Sequence, residues 1–133
     1  MRKTIILILL FSAVVFLAWN AYAGPDAFSK ADKDGNGTIT SDEFESAVTS
    51  KFREYDKNND GRIDIKEFSA KEHPDAVKEF KFMDRNSDGF VNADEFYRAA
   101  IQRRDQIDFN RDSKISKEEY NSNKALPFLK FYF

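Results

Sequence analysis

The 133-residue chain contains no cysteine, which excludes disulfides, thiolate metal sites and lipid attachment through a cysteine. Histidine occurs once, as His73 beside Pro74 on a polar stretch, where it reads as a surface residue rather than a ligand or a base. No basic stripe appears, and the 21 Lys and Arg are outnumbered by 23 Asp and Glu, so nucleic acid is not an expected partner. There is no base–nucleophile constellation either, and catalysis is not expected. Methionine is scarce, two in all, whereas phenylalanine is abundant at 14. What the chain has in plenty is carboxylate, and the carboxylates are arranged.

Four times an aspartate is followed eleven residues later by a glutamate, in segments beginning at Asp32, Asp56, Asp84 and Asp108. Each fits a twelve-residue calcium loop in which positions 1, 3, 5, 7, 9 and 12 supply oxygens. Calcium is a hard cation that takes 6–8 oxygen ligands, so a short loop can wrap it only if alternate residues point inward. In loop 1 the inward set is Asp32, Asp34, Asn36, the carbonyl of Thr38, Thr40 through water, and bidentate Glu43. Loop 2 offers Asp56, Asn58, Asp60, the carbonyl of Arg62, Asp64 and Glu67. Loop 3 offers Asp84, Asn86, Asp88, the carbonyl of Phe90, Asn92 and Glu95. Loop 4 offers Asp108, Asn110, Asp112, the carbonyl of Lys114, Ser116 and Glu119. One such cluster could be an ordinary turn. Four in register, each with glutamate at position 12, are not.

Position 6 must turn the chain with positive φ, which glycine does at least cost. Gly37, Gly61 and Gly89 stand there, but loop 4 has Ser113. A residue with a Cβ in that conformation costs roughly 1 kcal/mol, so about a fivefold weaker fourth site is expected. Loop 2, with four carboxylates, is expected to bind most tightly.

These loops and their flanks resemble the EF-hand family, helix–loop–helix calcium modules, over nearly all the chain after residue 24. Position 8 carries Ile39, Ile63, Val91 and Ile115, which the resemblance places in a short β-bridge between neighbouring loops. Phe44, Phe68, Phe96 and Tyr120 follow each glutamate and open the exiting helix. Four residues before each loop stand Phe28, Phe52, Phe80 and Arg104, and one residue before stand Ala31, Tyr55, Met83 and Ile107. Apolar residues at that spacing share one helix face, so both flanks of most loops offer a core stripe, with Ala31 and Arg104 its weakest members. The expected fold is all-α, four helix–loop–helix motifs in tandem.

The spacing between loops is compact. Their starts are separated by 24, 28 and 24 residues, leaving only Phe44 to Tyr55 between loops 1 and 2. Either two helices of one or two turns fit there, or one shared helix does; Phe44, Val48, Phe52 and Tyr55 suit a single amphipathic helix. Such 24-residue repeats resemble exported bacterial EF-hand proteins more than eukaryotic sensors. Two paired lobes with short helices are the expected arrangement, residues 24–72 and 73–133, divided near Pro74 at the start of a new helix.

Residues 1–23 read as a secretory signal peptide: a basic start at Arg2 and Lys3, an apolar run, and Ala21-Tyr22-Ala23 before a cut at Gly24. The apolar run is short for a span of about 20 residues, so stable membrane insertion is not expected after cleavage. The expected location is secreted or periplasmic. Losing Arg2 and Lys3 leaves 19 basic against 23 acidic residues, a net charge of −4. Thirteen acidic ligands then face one another across the four loops, and calcium is expected to relieve that repulsion and stabilise the fold.

The chain ends in ALPFLKFYF, an apolar cluster over 125–133 that soluble proteins seldom leave in water. It could pack on the core, lie in an apolar groove as an internal mimic of a target, or contact a partner or membrane. The functional reading is calcium binding by an exported protein, as a buffer or calcium-stabilised module. The alternative is a sensor that opens an apolar groove to a protein partner, whose identity the sequence does not carry. Sensor grooves are often rich in methionine, and residues 24–133 hold only Met83, which favours the buffer.

Overall fold

A computed structural model describes residues 27–69, 75–122 and 132. The expected signal peptide, His73, Pro74 and all of the tail except Tyr132 lie outside the described residues.

In order, the elements are α1 (Ala27–Ala31), β1 (Thr38–Ile39), α2 (Ser41–Tyr55), β2 (Arg62–Asp64), α3 (Ile65–Ser69), α4 (Ala76–Met83), β3 (Phe90–Asn92), α5 (Ala93–Asp105), β4 (Ile115–Ser116) and α6 (Lys117–Ser122). The loops themselves start and stop these helices. Position 9 serves as N-cap and position 12 as the third helical residue. Thr40 accepts from the Glu43 N–H while the Glu43 carboxylate accepts from the Thr40 N–H, and Asn92 and Glu95 do the same for α5. Such a reciprocal box satisfies two orphan donors of the first turn. At the other end, Asp56 and Asp84, first residues of their loops, cap α2 and α4 by donating their N–H to Phe52 and Phe80.

The loops pair as 1 with 4 and 2 with 3. Ile39 faces Ile115 in one two-stranded antiparallel ribbon, and Ile63 faces Val91 in the other. This corrects the expected lobes, in which each loop would pair with its neighbour inside 24–72 or 73–133. The reason is α2, a single 15-residue helix rather than two short ones. At 1.5 Å per residue it is about 22 Å long and holds loops 1 and 2 at opposite ends, out of pairing range. The 13-residue α5 separates loops 3 and 4 in the same way. Each half is therefore a long helix with a loop at either end. The halves lie antiparallel, with α2 packed on α5.

The core follows the sequence pattern closely. Ile39, Ile63, Val91 and Ile115 are fully buried at the ribbons. Phe44, Phe68 and Phe96 are buried where the exiting helices open, with Tyr120 half-buried and ring-packed on Phe28 at 5.3 Å. At the end holding loops 2 and 3, Tyr55 packs on Phe68 at 4.9 Å and Phe52 on Phe96 at 5.7 Å. The two weak members of the stripe both find a role. Ala31 is buried, and the Arg104 guanidinium lies 5.4 Å over the Phe44 ring as a cation–π partner in place of a fourth aromatic. Burial, reinforced by the neighbouring Glu54 charge, pushes the Tyr55 phenol up to about 12.

Candidate metal centre

Each loop folds on its own oxygens. In loop 1 the Asp32 carboxylate accepts from the N–H groups of Asn36 (3.1 Å) and Gly37 (2.9 Å), and Asn36 Oδ1 accepts from Thr38 N–H (2.8 Å). Glu43 reaches back across the loop, accepting from Lys33 N–H (2.9 Å) and Thr40 N–H (2.9 Å). The same scaffold recurs in the other three loops. Asp56 accepts from Asp60 and Gly61, Asp84 from Asp88 and Gly89, and Asp108 from Asp112 and Ser113. Glu67, Glu95 and Glu119 close their loops by accepting from Lys57, Arg85 and Phe109 respectively. Thr38, Arg62 and Phe90, expected to act through their carbonyls, open strands β1, β2 and β3, and Lys114 immediately precedes β4.

Carboxylates so placed fit a calcium ion. Oxygens bound at 2.3–2.6 Å to one ion lie at most about 5 Å apart. One oxygen from each of Asp32, Asp34 and Glu43 lies within 4.8 Å of the others. Loop 1 has aspartate at position 3, where the other loops have Asn58, Asn86 and Asn110. In every loop positions 3 and 5 are one Asn and one Asp, joined by an amide-to-carboxylate hydrogen bond of 2.8–3.2 Å. That bond lowers repulsion among the acidic groups. Two position-12 carboxylates are held toward ionisation. For Glu43 the cause is the Thr40 backbone N–H and then its hydroxyl. For Glu119 burial pushes upward, but hydrogen bonds from the Ser116 N–H and hydroxyl outweigh it.

Sequence reasoning missed position 4. Gly35, Asn59, Ser87 and Arg111 all have positive φ, at 70°, 57°, 58° and 59°, in addition to position 6. Asparagine tolerates this region and arginine does not, so an Arg at a turn position beside a misplaced Ser was a readable signal. Loop 4 thus carries two strained residues, Arg111 and Ser113 (φ 64°), where loop 1 has glycine at both positions. Replacing Ser113 by glycine should tighten calcium binding at loop 4 about fivefold and leave loop 2 unchanged, as read by site-resolved titration.

Paired helix–loop–helix units with carboxylate-lined twelve-residue loops define a calcium-binding module, and the chain belongs to the EF-hand family. An EF-hand domain pair model matches residues 45–101 and an EF hand domain model matches 26–51. The matched pair spans loops 2 and 3, the two joined here by β2 and β3. Among curated proteins the chain is similar to the calcineurin B protein of Naegleria gruberi, 36% identical over 87 residues that cover 53% of this chain and 49% of the relative. The chain therefore spans about half the length of that relative.

Proposed function

We propose that all four loops bind calcium and that the protein is an exported calcium buffer or calcium-stabilised module. The observation that carries this reading is the repetition of one oxygen scaffold four times, with positions 1 and 12 holding the same backbone donors in each loop. Export rests on the character of residues 1–23, which have the basic start, apolar run and Ala-x-Ala of a cleaved leader. A buffer is favoured over a sensor by the core. Met83, the only methionine after residue 24, is fully buried beneath phenylalanines rather than displayed. The helices of hand 3, α4 and α5, are also tied by a buried Glu79–Arg103 ion pair that opening would break.

The test is a calorimetric calcium titration of residues 24–133, followed with an apolar-surface dye and with magnesium as control. Calcium-selective binding near four ions per chain, with flat or falling dye fluorescence, is the expected result. Rising fluorescence would transfer the proposal to a sensor with a protein partner. Absence of calcium-selective binding would remove it altogether.

A further inference from the structure

The loop that lacks glycine at position 6 is braced from the other half of the chain. The Ser41 hydroxyl donates to the main-chain carbonyl of Ser113 at 3.1 Å, across 72 residues of sequence. Ser41 is position 10 of loop 1, and Ser113 is the residue held at φ 64° in loop 4. The paired loop answers in kind: Lys117, position 10 of loop 4, donates its backbone N–H to the Gly37 carbonyl at 3.1 Å. Position 10 of each loop therefore reaches position 6 of its partner. In one direction the donor is backbone, available to almost any residue. In the other it is a side chain that must carry a hydroxyl.

The remaining pair shows what is particular here. Position 10 of loops 2 and 3 is Ile65 and Ala93, with no side-chain donor, and both of those loops have glycine at position 6, Gly61 and Gly89. Ser41 is the one hydroxyl among the four position-10 residues, and it faces the one loop without the glycine. The Ser113 N–H donates to Asp108 Oδ2 at 2.8 Å, so the peptide units on both sides of the strained residue are held, one by Ser41 and one by the position-1 ligand. Between these bonds the left-handed turn is fixed, and with it the direction of the following Lys114 carbonyl, the position-7 oxygen.

We propose that Ser41 is a positioning residue for the fourth calcium loop, holding its bend from the opposite half of the fold and so setting the affinity of that site. The inference rests on reading residues 108–119 as a calcium loop. A net hydrogen bond is worth a modest free energy, so Ser41→Ala should weaken site 4 by roughly two- to tenfold. Ser41→Thr, which keeps the hydroxyl, should restore it. With Ser113→Gly in place the bend is no longer strained, and Ser41→Ala should then cost site 4 much less; that non-additivity marks coupling.

The experiment is a calcium titration followed by amide NMR, with the Ser113 N–H reporting site 4 and the Gly61 N–H as internal control. Hydrogen exchange of the Ser113 amide in the metal-free protein is measured alongside. The expected result is selective weakening at site 4, rescue by threonine, and faster exchange at Ser113 but not Gly61. Equal weakening at every site, or no change at site 4 on Ser41→Ala, overturns the proposal while leaving calcium binding intact. Should no loop bind calcium, the reading of the loops fails, and the exchange rates still decide whether Ser41 braces the bend.

Discussion

Chelating calcium should cost the protein a large part of its stability. A site held at a hundredfold over its Kd contributes about 2.7 kcal/mol by preferential binding to the folded form, so two such sites contribute about 5 kcal/mol. That equals the whole stability of many small domains, about 5–15 kcal/mol. The structure points the same way. The position-12 glutamates are also helix-capping residues, and Glu95 and Glu119 are buried, so metal and helix starts share the same atoms. Without the ion, the acidic ligands of each loop face one another at close range with only amide donors between them. Urea unfolding in excess calcium and in excess chelator measures the difference. A midpoint that does not move would show that the loops are turns stabilised by their own hydrogen bonds.

The loops were legible because each ligand position is chemically constrained and the pattern repeats without a gap. The core positions were legible for a related reason: residues at fixed offsets from the loops, such as Ile63, Phe96 and Met83, are carried inward by the same local geometry in each repeat. The nesting of the pairs was not legible. The spacing of Phe44, Val48, Phe52 and Tyr55 suits one helix, yet the shortness of the segment also suited two, and only the continuity of α2 decides which loops can meet. Contacts between halves were hidden for the same reason, since Ser41 and Ser113 become neighbours only once loop 1 pairs with loop 4. One miss was avoidable. Glu79 lies three residues after Ala76 and four before Met83, both buried, and an acid on that stripe signals a buried partner.

Replacing Arg103 by alanine should destabilise the protein by about 3–5 kcal/mol, the usual consequence of leaving a buried charge without its partner. Glu79 is 1% exposed, and its carboxylate accepts from Arg103 Nε at 3.0 Å and Nη2 at 2.7 Å. It also accepts from the Tyr132 hydroxyl at 2.5 Å. The Arg103 guanidinium covers the Phe82 ring at 4.1 Å, so little water reaches the pair. Tyr132 is itself buried, with its ring 5.2 Å from that of Phe96, and burial followed by the Glu79 charge drives its phenol far above the ordinary tyrosine range. Of the three readings of the apolar tail, packing on the core is the one that Tyr132 supports, and the rest of 125–133 lies outside the described residues. Tyr132→Phe keeps the ring and removes one donor to the carboxylate, for a cost of about 1–3 kcal/mol. A Glu79→Leu and Arg103→Met double variant removes both charges and should lie close to the wild type or above it. Chemical denaturation of the three variants separates the causes. If Arg103→Ala and the double variant fall equally, shape rather than charge holds α4 to α5. If Arg103→Ala falls alone, the buried Glu79 carboxylate is the group that needs its partner, and opening hand 3 would require hydrating it.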